Sequence, residues 1–327
     1  MSGPAEPVGP PPRELAAYLD EPPQLATGSP GKNGYLRLGL ERRGPKTILV
    51  DLERRAPLLA QQALYWDEAM PGLACVYMIS NAGGVLQGDR NRIEITLGPD
   101  AQAHVATQSA TKIHEMDHNH ARQDQTIRLA AGAYLEYLPE PTIPHRHARY
   151  LTLTRIEIDP AATLLYAEIL SAGRKYYRDG ELFAYDVFSS TVTAARPGPE
   201  PAAATGPERP GPAGGPGDEL FTEKFVIEPA GHDITATGVM GGYHVFGNVL
   251  VLTPPEQAEA IAAELPAEVN RQGQWAAAAS RLPNEAGLVY KVLGMETEPV
   301  KALIRRCHEV VRPIVTGCDV PPEFAWR

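Results

Sequence analysis

Cysteine is scarce in this chain of 327 residues: Cys75, Cys307 and Cys318 are an odd number with no CxxC pair. A disulfide framework or a structural zinc site is therefore not expected. Long apolar runs are missing too, with nothing near the roughly 20 residues that span a bilayer, and residues 1–12 have no apolar core of the kind a secretory signal carries. Positive charge is in deficit, 30 Lys and Arg against 40 Asp and Glu, for a net charge of −10. That argues against nucleic acid as the main partner, since phosphate binding needs a basic footprint. Four catalytic or nucleotide signatures are absent as well. No GK[ST] follows the glycines, and there is no dinucleotide fingerprint, serine nucleophile elbow or Cys–His pair at recognisable spacing. These absences leave a protein expected in the reducing cytoplasm, with no membrane or nucleic-acid partner. At 43% hydrophobic residues it can bury a sizeable core.

Two stretches lack core-forming side chains. Residues 1–34 hold eight prolines and few large apolar groups, so a disordered arm is expected, with at most a helical turn near residues 15–19. Residues 196–217 (RPGPEPAAATGPERPGPAGGPG) are Pro, Gly or Ala at 17 of 22 positions and cannot offset the entropy of ordering. They read as a flexible insertion between a stacked-strand region at 35–195 and a C-terminal region of the same fold at 218–327.

Between the breaks the hydrophobic period is two. Ile93, Ile95 and Leu97 alternate with Arg92, Glu94 and Thr96, as a half-buried strand requires. LGPDAQAHV at 97–105, LAAGAYLEYL at 129–138 and IDPAATLLYAEIL at 158–170 each read strand, tight turn, small residue, strand. Their turns recur at a spacing of about 30 residues, within the range of solenoid repeats. Helices come late. Thr253-Pro-Pro-Glu256 reads as a capping box before the stripe Ala258, Ile261, Ala262 and Leu265. A second helix is predicted over 298–312 with Val300, Leu303, Ile304, Cys307, Val310 and Val311 on one face and Pro313 as its stop; residues 287–293 form a strand between the two helices. The fold class is mostly β, with strands stacked as in a β-helix and a small α+β C-terminal part carrying two helices.

The sharpest local string is His114-Glu115-Met116-Asp117-His118, which fits H-E-x-x-H. In zinc proteases that spacing places two His on one helical face, with Glu as general base. Here the flanks are polar and have no apolar stripe, so the metal-dependent hydrolase is the alternative function rather than the first. A weaker role is a surface metal contact by His114, His118 and His120. Gly83, Gly84 and Gly88 form a glycine turn before a strand. Four charges stand in or beside apolar strands: Asp89, Lys112, Glu168 and Glu223. Alternation puts Leu164, Tyr166, Glu168 and Leu170 on one face, and Leu165, Ala167 and Ile169 on the other. Both faces are apolar, so the strand is expected to be covered on both sides. An ionised carboxylate there is costly unless water, a cation or a base satisfies it.

Taken in order, AGGVLQGDRNRIEITL at 82–97, SATKI at 109–113, YLEYLPEPTI at 134–143, Gly173-Arg174, Gly180-Glu181-Leu-Phe, Arg312-Pro, Pro321-Pro and Trp326 resemble the landmarks of the urease accessory protein UreD (UreH) family over about residues 35–327. The resemblance implies a β-rich fold with helix-like strand stacking and two helices. It implies no catalysis, but a scaffold of the urease maturation complex. That scaffold joins a helical UreF-type protein, through it a UreG-type GTPase, and apo-urease. It implies nickel in transit through a polar interior, with no tightly bound cofactor. On that pattern Asp89, Glu168 and Glu223 are candidates for the nickel path, and Lys112 for a path or charge-balancing role.

Overall fold

The computed structural model describes residues 12–20, 33–198 and 217–322. From residue 74 onward the chain winds between two facing sheets. Strands Arg90–Leu97, Ala121–Leu129, Arg149–Ile158 and Val187–Ala195 stack in parallel in the smaller sheet. Strands Ala74–Ser80, Gln102–Thr107, Tyr134–Tyr137 and Thr163–Ser171 stack in parallel in the larger one. The expected β-helix-like stacking is therefore the architecture. Each rung has one apolar edge too narrow to fold alone, and its neighbours bury it. The register aligns Ile95, Ile127, Ile156 and Ala194 across the smaller sheet, and Ala103, Leu135 and Leu164 across the larger. All seven are buried in one core between the sheets. The turns stack as the repeat predicts: the Asp100 N–H donates to the Ala131 carbonyl and the Asp159 N–H to the Leu129 carbonyl, each at 3.0 Å.

Further strands extend both sheets, mostly antiparallel. Tyr35–Arg43 adds to the smaller sheet in parallel beside Arg90–Leu97, Lys46–Arg55 follows it antiparallel, and Glu219–Ile227 closes the other edge antiparallel. Val245–Leu252, Gly287–Gly294, Trp275–Arg281 and Glu268–Asn270 lengthen the larger one. Helices α1 (Pro255–Glu264) and α2 (Thr297–Thr316) cover its outer face, where Leu165, Ala167 and Ile169 meet Ile261, Val300, Ile304, Cys307 and Val311. The 196–217 insertion joins two antiparallel neighbours, and the Arg196 N–H donates to the Asp218 carbonyl at its base. Residues 199–216 lie outside the described residues, as do 323–327.

Three local expectations are corrected. Pro313 lies inside α2, which runs on to Thr316 and ends at Gly317, in the left-handed conformation at φ 72°. Thr253 forms no capping box: Pro254 is the N-cap, and the Thr253 hydroxyl bonds Thr163 and Gln257 instead. The arm expected to be disordered is docked over residues 12–20. Leu15 is fully buried against Leu151 and Val187 on the outer face of the smaller sheet. Glu14 accepts from the Ser189 hydroxyl and pairs with Lys224, and Tyr18 stacks on Arg149. One buried leucine with two polar anchors is enough to fix a segment whose average composition reads as disordered. Residues 1–11 and 21–32 lie outside the described residues.

Candidate functional site

The interior between the sheets changes character along the strands. Toward the C-terminal ends of the smaller sheet's strands the inward residues are apolar: Leu97, Leu129, Ile158 and Ala194. Six positions earlier in the first three of these strands, and four earlier in the last, stand Asn91, Gln123, Thr152 and Ser190, directly opposite one another in register. Gln125 and Thr154 follow one level on. A cavity of about 250 Å³ opens at this level, room for several waters. Its mouth is formed by the exposed Ser80, Gly83, Gln108, Ser109 and Lys112, and its inner end by Tyr150, Glu168, Phe225 and Phe246. Two buried polar atoms of lining residues, Asn91 Oδ1 and Gln125 Nε2, have no protein partner, as expected of groups that face water.

Among the described residues lining the cavity the acidic side chains are Glu140 and Glu168, and Glu168 stands at the inner end. As alternation predicts, it shares the inward face with Leu164 and Tyr166, while Leu165, Ala167 and Ile169 face the helices. The Tyr166 hydroxyl donates to Glu168 Oε1 at 3.0 Å and the Ser190 hydroxyl at 3.1 Å. Tyr166 stacks on Tyr137, ring centroids 5.2 Å apart, and the Tyr137 hydroxyl donates to Gln125 Oε1 at 2.9 Å. Burial raises the Glu168 carboxyl above its ordinary value, these two donors oppose the rise, and the negative charge of Glu223 adds to it. Burial likewise raises Tyr137, Tyr150 and Tyr166, with Glu168 contributing, so the phenols remain protonated donors.

The structure brings together only some of the residues singled out from sequence. Glu168 and Glu223 face each other from opposite sheets, close enough for Glu223 to shift Glu168. Lys112 stands at the cavity mouth. Asp89 is buried away from the cavity lining, where its carboxylate accepts the Leu86 N–H at 2.8 Å and closes the glycine turn. In that turn Gly83 and Gly88 have φ of 55° and 74°, and Gly84 lies so close to the His114 ring that a Cβ would sit 2.4 Å from Nε2.

The stretch at 114–118 is not helical, so it lacks the two-His helical face of a zinc protease. His114 packs edge-on against His145, ring centroids 4.9 Å apart. His118 Nδ1 meets Asp20 at 2.6 Å, and His120 Nδ1 meets the Tyr18 carbonyl at 3.1 Å. Among the described residues, no group of three or more His, Cys, Asp or Glu is placed to hold a metal ion.

A second polar cluster was not anticipated. Behind the larger sheet, under α2, Glu136 accepts from Arg312 Nε at 2.7 Å and Nη2 at 2.9 Å, from Tyr134 at 2.7 Å, and meets His104 and His308. Arg312 also binds Asp67 at 2.5 Å. Arg312 and Glu136 are fully buried. Also missed were the inward amides and hydroxyls Asn91, Gln123, Gln125, Thr152 and Ser190. A signal existed: Gln123 and Gln125 occupy the same alternation as Ile127 and Leu129.

The UreD urease accessory protein family model matches residues 32–327. The chain belongs to the UreD family. It is 54% identical over 314 residues to urease accessory protein UreD 2 of Brucella suis, covering 96% of this chain and 98% of the relative. It is 46% identical to urease accessory protein UreD of Photorhabdus laumondii, over 96% of this chain and 92% of the relative, and matches that of Yersinia enterocolitica at the same identity and coverage. UreD membership gives the chain an accessory role in urease maturation rather than a catalytic one. Among its described residues, no helix is long and apolar enough to cross a membrane.

Proposed function

We propose that this UreD-family chain is a scaffold through which nickel passes to apo-urease, acting with a UreF-type protein and, through it, a UreG-type GTPase. The observation that carries the reading is the polar-walled cavity between the sheets, lined by amides and hydroxyls and ending at Glu168. A β-helix interior is ordinarily filled by apolar layers, and unpaired polar groups there are a standing cost. That cost is understandable where a borderline cation must move between weak oxygen ligands and water without being trapped. Nickel is cargo in this reading, and no resident cofactor is needed. Lys112 at the mouth would balance the interior negative charge when no metal is present. Asp89 belongs to the wall through its turn, His114 and His118 would serve at most as surface contacts, and His120, expected as a third, is buried against the Tyr18 carbonyl. A cytoplasmic location follows from the same role.

The test is reconstitution. Co-expression with the UreF-type and UreG-type proteins and apo-urease should give one co-purifying assembly whose urease becomes active on adding nickel. If this chain fails to enter the assembly, or if activation proceeds equally without it, the reading is wrong.

A further inference from the structure

Glu168, Asn248 and Lys291 stand directly opposite one another on three neighbouring strands of the larger sheet, so their side chains share its inward face. The row begins at a carboxylate lining the cavity, passes through an amide with no exposure, and ends at an ammonium whose side chain is 46% exposed. The facing sheet stops at its edge strand Glu219–Ile227, while the larger sheet continues through Gly287–Gly294. The sandwich is therefore open sideways at this level. Glu223, on that edge strand, closes over the row: its Oε2 accepts from Asn248 Nδ2 at 2.7 Å, and its Oε1 is paired with Lys291. The Lys291 ammonium lies 5.5 Å from the centre of the Phe246 ring, and Phe246 and Phe225 both line the cavity.

Two features of this row are unexplained by packing. The buried Asn248 Oδ1 has no partner among the described residues, although a buried carbonyl oxygen ordinarily finds a donor or a cation. The charges also do not balance: the Lys291 ammonium pairs with Glu223, and among the described residues no ion pair reaches Glu168.

We propose that Glu168, Glu223 and Asn248 form a divalent-cation site at a second, lateral opening of the cavity, and that Lys291 is a tethered plug occupying it until a cation arrives. The proposal rests on the passage described above and assigns its far end. When a cation enters, the Asn248 amide turns over, presenting Oδ1 in place of Nδ2. Oδ1 has no bond to lose in doing so, and the cation takes over the place of Nδ2 at both Glu223 and Glu168. The Lys291 stem is flexible and already half in water, so the ammonium can withdraw. Two carboxylates and an amide are too few ligands for tight binding, and water completes the shell. A site at the end of a passage needs that weakness.

The experiment is equilibrium binding of Ni²⁺ alone to the full chain, comparing identical preparations of wild type, Lys291→Met, Lys291→Arg, and Lys291→Met combined with Glu223→Gln. Lys291→Met should tighten nickel binding by about tenfold or more. Lys291→Arg keeps the positive charge and should bind as wild type. The added Glu223→Gln should abolish the gain. Equal affinity in wild type and Lys291→Met overturns the plug, and so does a gain that survives Glu223→Gln. Neither result touches the passage itself, which urease activation with Glu168 variants reads separately.

Discussion

Glu136 and Glu168 lie on adjacent parallel strands of the larger sheet, one facing outward beneath α2 and the other inward to the cavity. Both are carboxylates in a protein interior, and the protein treats them in opposite ways. Burial works against charge at Glu136, but His308, His104 and Arg312 outweigh it and hold the carboxyl well below its ordinary range. At Glu168 burial is not outweighed. Its donors are neutral hydroxyls and the Asn248 amide, the charge acting on it is that of another carboxylate, Glu223, and its carboxyl is raised. A fully paired charge locks an element in place, here α2 against the sheet. On the proposed reading, a carboxylate left without a cation is there to receive one.

The largest expected effect falls on the locked cluster. Arg312→Met leaves Glu136 and Asp67 buried without their cation and should cost about 3–5 kcal/mol of stability, measured by chemical denaturation. Glu168→Leu removes a buried charge and fills similar volume, so stability should hold or rise. A comparable loss at both sites would erase the distinction.

The pH dependence sharpens it further. Glu136 has a lowered folded value, so its ionisation contributes stability that is full above the ordinary 4.5 and is lost as pH falls through the folded value. Glu168 has a raised folded value, so its contribution is full below 4.5 and is lost as pH rises through the folded value. Melting curves across pH should therefore show Glu136→Gln less stable than wild type at neutral pH, with the gap closing in acid. Glu168→Gln should be more stable at neutral pH, with its gap also closing in acid. Same-sign gaps at neutral pH would contradict the account.

Smaller effects are expected away from both carboxylates. Replacing residues 199–216 with a short Gly-Ser link should change stability by under about 1 kcal/mol, because loop-closure entropy varies slowly with length. It should leave urease activation intact. Loss of activation with the fold preserved would make the segment a binding element. Glu115→Gln, in an exposed non-helical stretch, should stay within about 0.5 kcal/mol of wild type and support normal activation under ample nickel.

Much of this architecture could be read from local pattern. The repeat of strand, turn and strand predicted the stacked rungs, and period-two alternation put Glu168 on one face with Leu164 and Tyr166 without saying that this face looks between the sheets. The locked cluster could not be read that way. Arg312 is 176 residues from Glu136 and 245 from Asp67, and nothing local marks them as partners. In the sequence Arg312 looks like a polar break in a helix face, although it is one of the most buried side chains in the molecule. The polar row was half-legible. Each of Gln123, Thr152 and Ser190 looks like an ordinary polar residue in a strand, and only the register shows that they align. Asp89 was ambiguous, because a carboxylate beside glycines reads the same whether it caps a turn or faces a channel; its contact with the Leu86 N–H shows the turn.

The central claim, that Glu168 serves cation transfer rather than packing, is tested most directly by counting nickel. Wild type, Glu168→Asp and Glu168→Leu would each be assembled with the partner proteins and apo-urease, with assembly confirmed by co-purification. Nickel per urease active site would then be measured after a fixed exposure to limiting metal. The account predicts equal assembly in all three, near-normal nickel with Glu168→Asp, and a marked deficit with Glu168→Leu. Full nickel loading with Glu168→Leu, or loss of assembly in that variant, would contradict it.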